Sequence, residues 1–327
     1  MTLGLTIGKF WPPHAGHHHL IRTARAQVDH LVVVVCELGA QQPPARRRAA
    51  WLAEVHPDCE VRVVADIGHD DDSAAWAAYT RAFLPGVPDV VFTSDPYGET
   101  WAAELGCRWV AVDPGRRTVP VSGTLVRADP ARHWHHLSPP VRAGLTRRVA
   151  VVGAESTGTT TLARDLARRH RTAWVPEYGR AYSAAKQERT GGAGSTWHSG
   201  EFEVIARRQQ ADEDEAARRA GPVLFCDTDA LATAVWHLRY TGRESPAVAA
   251  LAAGRTYAAY VLTGCEIPFE QDGLRDGEHL RGWMTGEFRR RLAERAEPWI
   301  EVTGSPVERL DRVDGFLRDV LGPGWLP

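Results

Sequence analysis

Residues 3–19, LGLTIGKFWPPHAGHHH, place a short apolar, strand-like run directly before a turn that contains Pro12 and Pro13. The turn leads into a stretch of helical spacing that carries Leu20 and Ile21. A strand, a tight turn and a helix in this order direct backbone N–H groups and a helix N-terminus towards an anion. The stretch therefore predicts an α/β domain with a phosphate site at the end of its first strand.

The same alternation continues through the first half of the chain. Apolar runs at 31–36, 61–65 and 89–93 are separated by helical spacing at 17–27 and 46–54. This pattern favours βαβ units and a parallel sheet that is buried on both faces.

The pattern restarts after residues 129–148, where a strand-like run at 149–152 enters a turn rich in Gly, Ser and Thr. Further apolar runs occur at 222–226, 258–263 and 299–303. A chain of 327 residues is also long for a single domain. We therefore predict two α/β domains, residues 1–145 and 146–327.

Composition limits the class of protein. The net charge is -2, and no apolar run approaches the ~20 residues that span a bilayer. The start lacks the pattern of a secretory signal, and the five cysteines are scattered, without metal-ligand spacing. These features predict a cytoplasmic protein with reduced thiols that binds small phosphorylated molecules rather than nucleic acid or membranes. They do not decide whether the protein forms a homo-oligomer.

His14, Gly16 and His17 form an H-x-G-H pattern after the first strand. Two imidazoles can reach one side of a phosphate there, while glycine lets the backbone come close. Metal binding or a chance histidine-rich patch are the alternatives. Helical spacing turns His18 and His19 away from the other two.

The wider pattern G-x-F-x-P-x-H-x-G-H resembles the signature of the nucleotidyltransferase superfamily. The resemblance implies a Rossmann-like domain in which His14 and His17 bind the ATP phosphates while a substrate phosphate attacks the α-phosphorus and pyrophosphate leaves. Lys9 is one of only two lysines in the chain, and a phosphate contact is favoured over a plain ion pair. The other residues of the signature that are predicted to contact ATP are Gly8, Phe10 and Gly16.

Residues 121–127, VSGTLVR, are similar to a second motif of the same superfamily, I-S-x-T-x-x-R. Hydroxyl groups at a helix start and an arginine one turn inside it make an anion clamp. Ser122, Thr124 and Arg127 are therefore predicted to cap the ATP phosphates, with Arg127 taking part in catalysis.

Residues 93–98, TSDPYG, look like an element that bifunctional bacterial nicotinamide-mononucleotide adenylyltransferases use near their substrate. The resemblance implies nicotinamide mononucleotide as the substrate, held by Ser94, Asp95, Tyr97 and Gly98. A plain turn explains the same residues. An adenylyl- or cytidylyltransferase for another phosphate, such as phosphopantetheine, therefore stays open.

Two charged runs have no single interpretation. Residues 46–48 before Trp51 resemble the family's R-x-x-W-L segment, which favours either a phosphate contact or a solvated helix face. The acids at 70–72 are expected to be solvated rather than to ligate a metal.

Gly153 and Gly158 are spaced as in the phosphate-binding loop G-x-x-x-x-G-K-[ST], between a strand and a helix. Such a loop wraps backbone N–H groups around a phosphate, and Thr160 would hold Mg²⁺. Thr159 stands in place of the lysine, which removes a charge worth about 2.7–4 kcal/mol unless another cation replaces it. Phosphate contacts are predicted for Gly153, Glu155, Ser156, Thr157, Gly158, Thr159, Thr160 and Thr161.

The second half resembles the P-loop ribosylnicotinamide kinase that follows the adenylyltransferase in the bifunctional bacterial NadR family, at 176–180, 226–229 and 271–281. The resemblance implies that Glu177 and Asp227 are catalytic, with Asp227 also a ligand of Mg²⁺. The remaining implied contacts are those of Tyr178, Arg180 and Asp229 with the riboside, and those of Arg275 and Arg281, on a closing lid, with ATP.

The sequence thus predicts an enzyme of NAD salvage with ATP as a substrate of both domains. The second domain would phosphorylate nicotinamide riboside, and the first would adenylylate the resulting mononucleotide to NAD. A nucleotide or NAD sensor is the alternative for the second domain. Some relatives carry a DNA-binding domain ahead of the adenylyltransferase, and none is expected here because the first strand begins at Leu3.

Overall fold

The first apolar run forms the central strand of a five-stranded parallel sheet. The structure is a computed structural model that describes residues 1–39, 41–69, 71–190, 196–272 and 275–326, and it divides into two compact units, Met1–Val141 and Arg142–Pro327. In chain order, the elements of the first unit are β1 (Leu3–Gly8), α1 (Ala15–Arg25), β2 (His30–Glu37), α2 (Ala45–Val55), β3 (Glu60–Ala65), α3 (Ser73–Phe83), β4 (Val90–Thr93), α4 (Tyr97–Leu105), β5 (Arg108–Ala111), α5 (Gly123–Ala128) and α6 (Pro130–His133), with α7 (Pro139–Leu145) crossing the division.

The strands of the first sheet are parallel and lie in the order β3-β2-β1-β4-β5. Strand β1 pairs with β2 from Leu3↔His30 to Gly8↔Val35 and with β4 at Gly4↔Val90. Separate apolar cores cover the two faces of the sheet. The strand order reverses on either side of β1, so a ligand crevice is expected at the carboxyl ends of β1 and β4.

The second unit repeats this plan around another central strand. Its elements are β6 (Arg147–Gly153), α8 (Thr159–Arg169), β7 (Trp174–Val175), α9 (Tyr178–Thr190), α10 (Ser199–Ala217), β8 (Val223–Asp227), α11 (Ala230–Thr241), α12 (Pro246–Ala253), β9 (Ala259–Thr263), α13 (Arg281–Ala293), β10 (Trp299–Val302) and α14 (Pro306–Leu321). The sheet order is β10-β9-β6-β8-β7, again parallel. Strands β6, β8 and β9 are buried along most of their length, with apolar cores on both faces.

The prediction of two α/β folds built on parallel sheets is confirmed. The predicted strand runs all lie on strands, but the sequence pattern missed β5 and β7, which are short strands at the sheet edges. The predicted domain boundary after residue 145 falls at the end of α7 and stays a prediction. Among the residues that the structure describes, no helix is long and apolar enough to cross a membrane.

Arg48 shows how the first sheet is held at its carboxyl edge. Its side chain is fully buried and donates hydrogen bonds to the carbonyl of Lys9 and, at 3.2 Å, to that of Cys36. Those carbonyls lie at the ends of β1 and β2, whereas the neighbouring Arg47 is exposed and stacks over Trp51. Neither interpretation of the 46–48 run anticipated this structural role for its last member.

We predict that Arg48→Met lowers the free energy of unfolding by about 2–4 kcal/mol, because the buried Cys36 carbonyl and the partly buried Lys9 carbonyl lose their donor. Arg47→Met is the matched control and should change it by about 0.5 kcal/mol or less, since that side chain is on the surface. Equilibrium urea unfolding of the full chain measures both. Equal effects of the two variants would contradict the assigned role.

Candidate active sites

A cleft of about 760 Å³ opens at the carboxyl ends of β1 and β4 in the first unit. It brings together motifs that are more than a hundred residues apart in the sequence. The predicted site residues that line it are Gly8, Lys9, Phe10, His14, Gly16, His17, Ser94, Asp95, Tyr97, Ser122, Thr124 and Arg127.

The two histidines of the H-x-G-H pattern are fixed at the start of α1. His14 is the N-cap, and its Nδ1 accepts a hydrogen bond from the Gly16 N–H at 3.2 Å. Nδ1 of His17 accepts from the His14 N–H at 3.3 Å, and the two rings stack 3.6 Å apart. Because each Nδ1 is an acceptor, the proton of each neutral ring lies on Nε2, which leaves two N–H donors on one wall of the cleft.

Burial keeps both imidazoles neutral. It lowers the pKa of His14 to about 3, with a smaller effect from the nearby His18, and it lowers the pKa of His17 well below the usual value. A bound anion would oppose this shift, because a negative charge favours the protonated ring. The pair can therefore donate hydrogen bonds to phosphate without carrying charge beforehand.

Arg127 joins the second motif to the first. Its Nη1 donates to the Trp11 carbonyl at 2.6 Å, its Nη2 donates to Thr124 Oγ1 at 3.2 Å, and its guanidinium stacks on the Trp11 ring. Ser122 caps α5 by accepting from the Leu125 N–H. The arginine is thus held on the cleft wall by the turn that precedes the histidines.

The TSDPYG segment has two different roles. Ser94, Asp95 and Tyr97 line the cleft, and Asp95 lies 3.3 Å from Arg116. Gly98 does not line it, and a Cβ at this position would lie 2.1 Å from Thr93 Oγ1. Gly98 thus has a packing role, which lets α4 start close against β4, and its predicted substrate contact stays a prediction.

Sequence reasoning did not find several side chains in this cleft. Asp66 lies 3.7 Å from Lys9 Nζ, so Lys9 has an acidic neighbour as well as a place on the cleft wall. Among the described residues, the buried indole N–H of Trp101 has no hydrogen-bond partner. The other unpredicted lining residues include Trp76, Asp113 and Arg116. No local motif marks them, because they come from different loops and helices.

A second cleft, of about 380 Å³, lies at the end of β6 in the second unit. The predicted residues that line it are Gly153, Glu155, Ser156, Gly158, Thr159, Thr160, Thr161, Glu177, Arg180, Asp227 and Arg275. The loop before α8 has left-handed backbone angles at Ser156, with φ of 56°, and at Gly158, with φ of 84°. Such angles allow successive N–H groups to turn towards an anion. Thr157 points inward instead and bonds to the Ala154 carbonyl and to Thr263 Oγ1, each at 2.7 Å.

Two carboxyl groups face this loop. Thr160 Oγ1 donates to Asp227 Oδ2 at 2.5 Å, whereas Oδ1 of Asp227 is buried without a partner among the described residues. Burial raises the pKa of Asp227, and burial together with the Asp227 charge raises the pKa of Glu177 to about 8. Arg180 opposes both shifts.

The hydroxyl of Thr160 beside a carboxylate oxygen that lacks a partner fits a hard divalent cation. In the described part of the chain, no group of three or more His, Cys, Asp or Glu side chains could hold a metal by itself. A cation here would therefore need further oxygen ligands from a nucleotide, as is usual for Mg²⁺.

Three residues of the second unit that the sequence predicted to contact ligands lie outside the cleft wall, and their ligand contacts stay predictions. Asp229 is 1% exposed and caps α11, with its oxygens occupied by the Ala232 N–H and the Tyr260 hydroxyl, each at 2.9 Å. Arg281 donates to the Ser156 carbonyl, on the loop itself, and does not line the cleft. Tyr178 also lies outside the cleft wall. Residue 70 of the acidic run 70–72 lies outside the described residues. So do residues 273 and 274 of the predicted lid.

An aromatic wall completes the second cleft. Trp197, Phe202, Trp236 and Tyr240 line it, with the rings of Trp197 and Tyr240 5.3 Å apart. The sequence carries a weak signal for this wall, since Trp236 and Tyr240 are one helical turn apart in α11. Their position against the loop depends on how α10 and α11 pack, which no local pattern shows.

Comparison with known proteins matches the two units to separate family models, and some relatives span both units. Residues 5–129 match the cytidylyltransferase-like family model, and residues 148–309 match the model of an AAA domain. The Trifunctional NAD biosynthesis/regulator protein NadR of Escherichia coli (strain K12) is 30% identical over 296 residues, which cover 84% of this chain and 72% of that protein. A nicotinamide-nucleotide adenylyltransferase of Caldivirga maquilingensis is 28% identical over 109 residues, 30% of this chain and 59% of that protein.

A crystal structure of a NadR protein in complex with NR has the same fold. It superposes with a TM-score of 0.78 at 20% sequence identity and covers 98% of this chain and 96% of that one. Fold, clefts and relatives define a two-domain nucleotide-binding transferase. The chain belongs to the NadR family.

We predict that the contribution of His14 and His17 lowers the free energy of unfolding as the pH drops below about 6.5, the usual pKa of an unfolded histidine. The pKa of His14 and His17 is lowered in the folded chain. As the pH falls, the unfolded chain therefore binds protons at these histidines before the folded chain does, and the unfolded state becomes more stable relative to the folded state. Urea unfolding between pH 7.5 and 5 measures the slope. His14→Asn should flatten it, and an unchanged slope would contradict the assignment to His14.

Proposed function

We propose that this chain makes NAD in two ATP-dependent steps. The second unit phosphorylates nicotinamide riboside, and the first unit transfers AMP from ATP to nicotinamide mononucleotide and releases pyrophosphate. The observation that carries the proposal is the first cleft, where the histidine pair and Arg127 meet the Ser94–Tyr97 segment at the switch point of the sheet. The E. coli relative, a NAD biosynthesis protein, supports the same assignment.

The first reaction needs positioning and charge stabilisation. A phosphate oxygen of the mononucleotide attacks the α-phosphorus of ATP, and the bond to the bridging oxygen of pyrophosphate breaks. Nε2–H of His14 and His17, the N-terminus of α1 and Arg127 would hold the phosphate oxygens while charge moves onto the leaving group. No protein nucleophile is required.

The opposite side of the first cleft suits the nicotinamide end of the substrate. Trp101 offers an indole N–H that no described residue accepts, and Trp76 offers an aromatic face. The carboxamide of nicotinamide carries an acceptor oxygen, and its ring can stack on an aromatic face. This chemistry favours nicotinamide mononucleotide over a phosphate substrate without an aromatic ring.

In the second reaction, the 5′-hydroxyl of the riboside attacks the γ-phosphorus of ATP, ADP leaves, and the hydroxyl proton passes to the carboxyl pair of Glu177 and Asp227. The raised pKa of Glu177, about 8, suits a group that exchanges protons near neutral pH. Mg²⁺ held by Thr160, Asp227 and the nucleotide would neutralise charge on the transferred group. The aromatic wall with Trp197 and Tyr240 would stack on the nicotinamide ring.

The first test supplies the full chain with nicotinamide riboside and ATP. We expect chromatography to show nicotinamide mononucleotide first and NAD afterwards. NAD made from supplied mononucleotide, but none from riboside, would remove the kinase activity and leave the sensor role for the second unit, for which the absence of a lysine at Thr159 is the supporting observation. No NAD from supplied mononucleotide would overturn the adenylyl transfer proposed for the first unit.

Two substitutions should separate the activities. His17→Ala is expected to lower kcat/KM for NAD synthesis about 10²–10³-fold, because one donor to the phosphates is lost. It should leave riboside phosphorylation unchanged. Asp227→Asn is expected to do the reverse, lowering phosphorylation about 10²–10⁴-fold. Each variant is thus the folding control for the other, and loss of both products in either one would contradict the division of labour.

A further inference from the structure

The phosphate-binding loop of the second unit is held from behind by arginines. Three consecutive loop residues each accept a hydrogen bond from an arginine on a different helix. The pairs are Arg239 of α11 with the Glu155 carboxylate at 2.7 Å, Arg281 of α13 with the Ser156 carbonyl at 3.2 Å, and Arg309 of α14 with the Thr157 carbonyl at 2.6 Å.

Arg309 is placed directly beneath the loop. Its side chain is 5% exposed, and besides Thr157 it donates to the Gly304 carbonyl at 3.0 Å and to Glu266 at 2.5 Å. A Cβ on Gly158 would lie 3.4 Å from its Nη1, so the guanidinium touches the turn where the loop enters α8. A buried arginine with this many partners is rigidly held.

Arg281 brings a second charge to the same side. Its Nη2 bonds to the carbonyls of Ser156 and, at 2.8 Å, Ile267. Within the described residues, Nε of Arg281 is buried without a hydrogen-bond partner, and its guanidinium forms no ion pair with a carboxylate. Arg239 is paired with two carboxylates, those of Glu155 and Asp276, whereas Arg309 is paired with one, that of Glu266.

The placement of these charges has an electrostatic consequence for the loop. A guanidinium that binds the outward-facing carbonyl of a peptide favours the orientation in which loop N–H groups face the nucleotide. It also polarises the peptide, since hydrogen bonds in a chain strengthen one another. In most such loops a lysine supplies positive charge from the nucleotide side, but here Thr159 occupies that position.

We propose that Arg281 and Arg309, acting through the loop backbone, replace part of the charge that the missing lysine would supply to the triphosphate. Both are positioning residues, because they bind the loop and not the phosphate. The inference rests on the proposed kinase function and deepens it. It also gives Arg281 a different route of action from the direct ATP contact that the sequence predicted.

The test compares Arg309→Met and Arg281→Met with Arg312→Met in the full chain. Arg312 lies on α14 one turn from Arg309, is exposed and makes only a 3.4 Å contact with the Glu301 carbonyl among its described hydrogen bonds. Each of the first two variants should lower kcat/KM for ATP in riboside phosphorylation about 10- to 100-fold, the loss expected for a charged hydrogen bond. The KM for riboside and the synthesis of NAD from supplied mononucleotide should not change, and Arg312→Met should match the parent.

The decisive variant adds Thr159→Lys to Arg309→Met. If Arg309 acts by charge, the new lysine should restore most of the lost kcat/KM, whereas a purely structural arginine cannot be replaced from the other side of the loop. Failure of Thr159→Lys to restore activity in both arginine variants would overturn the proposal. If Arg309→Met unfolds the second unit, riboside binding is lost as well. In that case the comparison of Arg281→Met with the Arg281→Met, Thr159→Lys double variant decides in the same way.

Calorimetric titration with β,γ-imido-ATP and Mg²⁺ separates this inference from the kinase proposal. The parent chain should bind two equivalents, and the arginine variants should bind at one site with parental affinity and at the other more weakly. If the arginine variants show that result but the parent chain does not phosphorylate riboside, the proposed kinase function is rejected and the role of the arginines in nucleotide binding is retained. If the parent chain phosphorylates riboside but all variants bind the nucleotide with equal affinity, the proposed role of the arginines is rejected and the kinase function is retained.

Discussion

Each half of the molecule depends on a central strand that is hydrogen-bonded on both edges and buried on both faces. Neither β1 nor β6 has an open side, so polar ligands can approach only where the strand ends. The parallel arrangement places the carboxyl ends of neighbouring strands at one edge, and the helices that follow start there. The positions of both clefts follow from this constraint.

The two clefts prepare for phosphate in different ways. The first uses imidazoles that burial keeps neutral and that stack at 3.6 Å, so donors are present without mutual repulsion. The second surrounds a glycine-containing loop with arginines on one side and a pair of carboxyl groups with raised pKa on the other. Charge there is distributed around the backbone, which itself supplies the N–H donors.

Local patterns in the sequence predicted those structural features that are formed by residues close together in the chain. The central strands, the turn with His14 and His17 and the loop from Gly153 to Thr160 are continuous segments, and each carries its own spacing. The meeting of the VSGTLVR motif with the histidine turn was reached through a resemblance, because the Arg127 contact with Trp11 spans 116 residues.

Hydrogen-bond partners that depend on tertiary packing could not be predicted from the sequence in the same way. Arg48, Asp229 and Arg281 belong to polar segments in which solvent contact or ligand binding was the natural expectation, yet each is used by the fold. The aromatic wall of the second cleft is a similar case, since its members come from the segment before α10, from α10 and from α11. A buried polar group must find a partner, but the sequence does not say which one.

The place of Arg309 has a consequence for synthesis on the ribosome. The lining of the first cleft ends at Arg127, so that site can form while more than half of the chain is still to be made. The nucleotide loop of the second unit begins at Gly153 but receives its last support from α14, about 150 residues later. Domains generally fold from the N-terminus as they emerge. The two sites would therefore mature in order, with the second complete only after α14 has left the exit tunnel.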